Sequence, residues 1–78
     1  MITPEQIRGA RAMLGLTQAE LAGRANISTT GLNNIERGTS DPKASTLRAL
    51  HEALEAAGII FEPSGSLIAG GPGVRLKA

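Results

Sequence analysis

Small polar residues cluster between positions 29 and 34, and their side chains can hydrogen-bond to base edges. They are Thr29, Thr30, Asn33 and Asn34. An Asn amide can make a bidentate pair with adenine, and a Thr can donate to a base edge or pack its methyl group on thymine. No Arg lies at these positions, so the strongest guanine reader is missing and a half-site core that contains A·T pairs is favoured. The alternative is a polar face that contacts only solvent.

The segment from Gln18 to Arg37 would position these side chains, because it has the pattern of two short helices joined by a tight turn. Ala22 leaves room for a close helix crossing, and Asn26 suits the turn because Asn tolerates a positive φ. Apolar residues spaced to face a core are Leu21, Ile27, Leu32 and Ile35. This is the pattern of a helix-turn-helix, whose second helix, here about 28–37, lies in the DNA major groove. An ordinary helical hairpin is the alternative.

Helix start and stop signals flank this segment on both sides. Capping boxes begin at Thr3 and Thr17, and a glycine follows the first and third predicted helices. Ser45 is predicted to cap a fourth helix that ends at Gly58. The predicted fold class is therefore mainly α, with four or five helices and a short β-strand or hairpin at the C-terminus.

The chain changes character after Gly58, where two short strands joined by a mobile loop are predicted. We expect a helix-turn-helix domain over 1–58 and a strand-loop-strand tail over 59–78. The tail either covers the domain's own core or dimerises across a two-fold axis, since an apolar strand edge invites pairing. The candidate dimerisation residues are Ile59, Ile60, Phe61, Val74 and Leu76.

Length and composition limit the functions that are open to the chain. Its 78 residues make one small domain with a net charge of +1, so attraction to phosphate must come from the arrangement of charges and not from bulk charge. There is no cysteine, and His51 is the single histidine, which argues against a metal site, a cofactor site or an enzyme. Without a signal-peptide pattern or a run long enough to span a membrane, we expect a cytoplasmic protein with no membrane association.

From about residue 7 to residue 54 the chain resembles the helix-turn-helix family of phage Cro proteins and small phage repressors, the XRE family. The matching residues are Leu16, Thr17, Gln18, Ala19, Glu20, Leu21 and Ala22, then Ile27, Ser28, Leu32, Ile35, Glu36, Gly38, Thr46 and Leu47. The resemblance implies a domain of four or five helices that binds double-stranded DNA as a two-fold homodimer and regulates transcription.

The resemblance also implies roles for individual positions. Gln18 would contact a phosphate and support the recognition helix, which is the second helix of the helix-turn-helix. The residues implied to reach or flank base edges are Ser28, Thr29, Thr30, Asn33 and Asn34, and those implied to contact the DNA backbone are Arg37, Thr39 and Lys43. Arg11 and Glu36 match a pair that joins the first helix to the end of the third, and we expect a structural ion pair there.

The leading hypothesis is a transcriptional regulator, most simply a repressor, that binds an inverted-repeat operator as a homodimer. The alternative is an antitoxin-like module that depends on a protein partner and regulates its own operon through DNA binding. The turn-rich tail would then hold the partner.

Overall fold

The computed structural model describes residues 2–62 and 73–77. Within these ranges the chain forms four helices and two strands: α1 (Pro4–Leu14), α2 (Gln18–Ala25), α3 (Thr29–Arg37), α4 (Ala44–Ala56), β1 (Ile59–Glu62) and β2 (Gly73–Leu76). The predicted fold class, mainly α with a short C-terminal hairpin, is confirmed. The boundary proposed between residues 58 and 59 stays a prediction, and the mobile loop predicted in the tail lies largely outside the described residues.

Local hydrogen bonds explain where the first two helices begin. The Thr3 hydroxyl accepts from the Gln6 backbone N–H at 3.2 Å, and the Gln6 side chain accepts from the Thr3 N–H at 2.9 Å. Thr17 and Glu20 repeat this reciprocal pair at 3.0 and 2.9 Å. Each capping box satisfies two backbone groups that an isolated helix end leaves exposed. Both predicted capping boxes are confirmed.

The predicted start of the fourth helix was wrong. α4 begins at Ala44, with Lys43 as its N-cap and no capping bond from a side chain. The N–H groups of Thr46 and Leu47 both donate to the Lys43 carbonyl, at 3.0 and 3.1 Å. Ser45 is therefore already inside the first turn and cannot be its N-cap. Ser45 instead lies exposed in that first turn.

Every helix contributes at least one fully buried side chain to a single core. The largest are Ile7, Leu21, Leu32, Leu50 and Leu54. Ala10 of α1 and Ala22 of α2 are also buried, and small side chains at such positions let helices pack closely. The core therefore fixes α3 against the rest of the domain through Leu32 and Ile35.

The C-terminal hairpin packs on this core within the same chain. β1 and β2 are antiparallel, with Ile59 opposite Leu76 and Phe61 opposite Val74. Ile59 is buried, and Val74 lies close against Gly9 of α1, where an added Cβ would stand 3.4 Å from a Val74 methyl carbon. The two described strands of the tail thus cover the domain's own core, which is one of the two arrangements expected from the sequence.

The capping box of α2 gives the chain a testable pH dependence. The hydrogen bond from the Thr17 backbone N–H, followed by that from the Thr17 side chain, lowers the pKa of Glu20 below its usual 4.5. A folded-state pKa below the unfolded value stabilises the fold at pH above that unfolded value, and this stabilisation is lost as the pH falls through the folded pKa. We expect Glu20→Gln to destabilise the domain at neutral pH and the difference from the parent to shrink in acid.

The matched control uses the capping box of α1, where the equivalent residue, Gln6, does not titrate. The loss in free energy of unfolding caused by Gln6→Ala should therefore not depend on the protonation of Glu20. Urea unfolding curves across the acid range measure both differences. If the difference in free energy of unfolding between Glu20→Gln and the parent stayed constant across that range, it would contradict the lowered pKa of Glu20.

Candidate nucleic-acid interface

The turn between α2 and α3 orients the third helix outward. Asn26 ends α2 in the left-handed conformation, with φ of 59°, and the Ile27 N–H donates to the Ala22 carbonyl at 2.9 Å. Asn is one of the few residues with a side chain that adopts this conformation readily. Leu32 and Ile35 face the core, and Thr29 and Thr30 in the first turn of α3 are exposed. The first turn of α3 thus presents its two threonine side chains to solvent.

Ser28 fixes the start of α3. Its hydroxyl accepts from the Gly31 N–H at 2.9 Å, while the hydroxyl proton stays available to donate. A Cβ at position 31 would stand 2.9 Å from the same hydroxyl oxygen, so glycine leaves the cap undisturbed. This contact gives a local reason for a glycine inside the recognition helix, where helix propensity alone would disfavour it.

A bidentate ion pair ties α3 to α1. Arg11 donates through Nε to Glu36 Oε2 at 2.9 Å and through Nη2 to Glu36 Oε1 at 3.0 Å. The Glu36 side chain is 2% exposed and the Arg11 side chain is 25% exposed. Arg11 also donates to the Leu16 carbonyl at 3.2 Å. Two parallel bonds fix both the distance and the angle between the helices.

Gln18 extends this network to the exposed side of α3. Its Nε2 donates to Glu36 Oε1 at 3.2 Å and to Asn33 Oδ1 at 3.3 Å. Gln18 and Asn33 are half-buried, so they lie between the ion pair and the solvent. The structure therefore brings together Arg11, Glu36, Gln18 and Asn33, which the sequence had assigned to two separate roles.

The segment that follows α3 carries the remaining candidate residues. Gly38 ends the helix with φ of 73°, and the Thr39 N–H and hydroxyl both donate to the Asn34 carbonyl, at 3.1 and 3.2 Å. Arg37, Thr39 and Lys43 are exposed. No ion pair among the described residues involves Arg37 or Lys43. Both cations are therefore available to an external anion.

Sequence reasoning missed one contact of this site. The Arg8 guanidinium donates to the backbone carbonyl of Glu36, near the C-terminal end of α3. The signal was present, because Arg8 lies three residues before Arg11 and shares its helix face. Two arginines of α1 thus hold the end of the recognition helix, one through the side chain of Glu36 and one through its backbone.

His51 lies away from this surface. It stands 3.2 Å from a carboxylate oxygen of Glu55 and packs edge-on against Phe61, with ring centroids 4.6 Å apart. Within 2–62 and 73–77, no three His, Asp or Glu side chains are grouped so that they could hold a metal ion. The same part of the chain contains no helix that is both long and apolar enough to cross a membrane.

Comparison with known proteins places this geometry in a family. Residues 7–56 match the helix-turn-helix family model. The wild-type restriction-modification controller protein C.Esp1396I is similar in structure, with 29% identity and a TM-score of 0.64 over 67% of this chain and 68% of that one. The DNA-binding domain of the P22 C2 repressor is similar at 31% identity, with a TM-score of 0.64 over 70% and 72%. No curated protein sequence gives a match.

Proposed function

Because the chain belongs to the helix-turn-helix family of Cro and small phage repressors and is a DNA-binding transcriptional regulator, we propose that it represses transcription by binding an inverted-repeat operator as a homodimer. The observation that carries the proposal is the outward polar face of α3, held by the ion pair between Arg11 and Glu36. The similar structures are those of a controller protein and a repressor, which supports a regulatory role.

The exposed chemistry of α3 suits the major groove. Thr29 and Thr30 lie in its exposed first turn, and Asn34 follows one turn later. Hydroxyl, methyl and amide groups together can recognise the donors, acceptors and thymine methyl groups of that groove. Arg37, Thr39 and Lys43 would contact phosphates beside it. Ser28 can donate its hydroxyl proton to a phosphate while its oxygen caps the helix.

Two-fold assembly would compensate for the low charge. With a net charge of +1 per chain, a single copy makes few phosphate contacts, and a dimer doubles them. Among residues 2–62 and 73–77, the exposed large apolar side chains are Met13 of α1 and Leu76 of β2, at 46% and 48% exposure. We propose that the hairpin mediates dimerisation through Ile60, Phe61, Val74 and Leu76. Ile59, the fifth candidate from the sequence, is 2% exposed and packs in the core of its own chain, so it would support the interface from behind. A bound dimer would occlude polymerase.

Leu76→Asp tests the dimer separately from the fold. Because Leu76 is about half exposed, the variant should unfold almost like the parent, whereas a charge in an apolar interface should shift sedimentation toward the monomer. Met13→Asp is the matched control, since Met13 has nearly the same exposure and lies outside the proposed dimerisation residues. Equal dimer affinity for Leu76→Asp and the parent would refute the role of the hairpin.

Selection of bound duplexes from a randomised pool, at fixed salt, tests the function as a whole. Enrichment of an inverted repeat whose half-site centres are about 34–36 Å apart, one helical turn, is expected. A folded protein that enriches no sequence would reject the repressor proposal.

A second candidate function rests on the same exposed apolar side chains. Met13 and Leu76 could also meet a protein partner, as in an antitoxin-like module that regulates its own operon. Poor DNA binding by the chain alone, restored by a partner, would favour this function. Both candidate functions require contact with DNA. We therefore propose that the protein acts in the compartment that holds the DNA, which is the cytoplasm in a prokaryote.

A further inference from the structure

Gln6 is a buried polar side chain that bonds to two distant parts of the chain at once. It is 5% exposed. Its Oε1 accepts from the Thr3 backbone N–H at 2.9 Å, and its Nε2 donates to the Gly73 carbonyl, 67 positions away in sequence, at 3.0 Å. A backbone N–H can only donate and a backbone carbonyl can only accept, so the two partners fix the orientation of the amide. One side chain thus joins the start of α1 to the start of β2.

A second contact between β2 and α1 lies on the same face of the helix. Gly9 follows Gln6 by three positions, and a Cβ at Gly9 would stand 3.4 Å from a Val74 methyl carbon. A two-stranded hairpin alone is marginally stable in water, so β1 and β2 depend on such contacts with the helices. Losing the bond from Gln6 would also leave the Gly73 carbonyl without that donor, which favours release of β2 from α1.

A different face of α1 holds the recognition helix. Arg8 donates to the Glu36 backbone carbonyl and Arg11 pairs with the Glu36 carboxylate. Each arginine follows Gln6 or Gly9 by two positions, which turns it roughly 200° around the helix. α1 therefore lies between the hairpin and α3 and contacts both. The orientation of the hairpin relative to the recognition helix is set through α1.

We propose that Gln6 is a positioning residue that holds the dimerisation hairpin at a fixed orientation to the recognition helix, an inference that rests on the proposed dimer. Two recognition helices engage two half-sites only when the dimer holds them at the matching separation. The gain in affinity from joining two binding units is lost when geometry forbids simultaneous contact. A hairpin released from α1 would leave each recognition helix intact and would no longer fix their separation.

Three variants separate this role from the capping of α1. Gln6→Met keeps the length of the side chain but removes both the acceptor for Thr3 and the donor to Gly73. Gln6→Glu keeps the capping acceptor and, when ionised, has no donor for Gly73. Thr3→Ala is the matched control, because it removes the hydroxyl that accepts from the Gln6 N–H and leaves the Gln6 side chain in place.

Hydrogen exchange without DNA tests the contact with the hairpin. The Lys77 N–H donates to the Gly58 carbonyl across the two strands at 2.6 Å. Its exchange should be about tenfold faster in Gln6→Met than in Thr3→Ala, and the increase should exceed that at the Leu21 N–H of the buried core. Gln6→Glu should resemble Gln6→Met. Equal Lys77 exchange in Gln6→Met and Thr3→Ala would overturn the inference, even if Gln6→Glu failed to fold.

Binding to an inverted repeat and to a single half-site, at one salt concentration, tests the consequence for the dimer. The parent should bind the repeat about 10²–10⁴-fold more tightly than the half-site. Gln6→Met should lower this ratio by about tenfold or more with little change at the half-site, whereas Thr3→Ala should keep it. A purely structural Gln6 would weaken both duplexes alike, and an unchanged ratio would overturn the inference while the proposed function stands. A parent without any advantage on the repeat would reject the proposed dimer, and with it the role of Gln6 in setting the separation.

Discussion

Arg11→Met is expected to lower the free energy of unfolding by about 3–5 kcal/mol, because it leaves a buried carboxylate without its cationic partner. Glu36 is 2% exposed and cannot be hydrated by a small side-chain movement. The Gln18 amide would be the remaining side-chain donor to it among the described contacts. A domain of this size has a total stability of about 4–12 kcal/mol, so the variant should lose a large part of it. Urea unfolding followed by circular dichroism measures the change.

Arg48→Met is the control for this experiment. Arg48 is exposed on α4, so removing its charge should change stability by less than about 0.5 kcal/mol. The double variant Arg11→Met, Glu36→Met should be more stable than Arg11→Met alone, since it removes the unpaired charge as well as its partner. An Arg11→Met variant that unfolds at the same urea concentration as the parent would contradict the structural role of the pair.

Asn34→Ala is expected to weaken operator binding by about 1–3 kcal/mol per half-site, and by about 2–6 kcal/mol for a homodimer that uses the residue twice. The fold should be little affected, because the contacts from Thr39 go to the backbone carbonyl of Asn34 and not to its amide. Fluorescence anisotropy with the selected duplex, at one fixed salt concentration, gives the affinity.

Two controls separate base reading from other causes. Glu52→Ala changes an exposed residue of α4 and should bind like the parent. Arg37→Ala removes a proposed phosphate contact, so it should weaken selected and scrambled duplexes alike and reduce the salt dependence. If Asn34→Ala also weakened both duplexes alike, Asn34 would not be a base reader.

The elements that could be predicted from the sequence are those that local spacing determines. A capping box joins residues three positions apart, so Thr3 with Gln6 and Thr17 with Glu20 can be recognised directly. The left-handed turn at Asn26 is likewise a property of one residue type at one position. Resemblance to the family extended this to the pair of Arg11 and Glu36, which lie 25 positions apart.

The features that could not be predicted depend on packing between distant segments or on which of several neighbouring residues becomes the N-cap of a helix. The contact between Gln18 and Asn33 exists because the core brings α2 against α3, and no local pattern specifies the direction of its hydrogen bond. The start of α4 was misplaced because Ser45 is a good cap in isolation, whereas the extended backbone of Lys43 begins the helix earlier. The intrachain packing of β2 on α1 brings Val74 close to Gly9, which lies 65 positions earlier in the chain, and no local pattern specifies that contact.

The central claim is that the exposed face of α3 binds the major groove, and intermolecular nuclear Overhauser effects in the complex with the selected duplex test it most directly. We expect contacts from the methyl groups of Thr29 and Thr30 to thymine methyl and cytosine H5 protons, which lie in the major groove. Contacts confined to α4 or the hairpin, or to protons of the minor groove, would contradict the account.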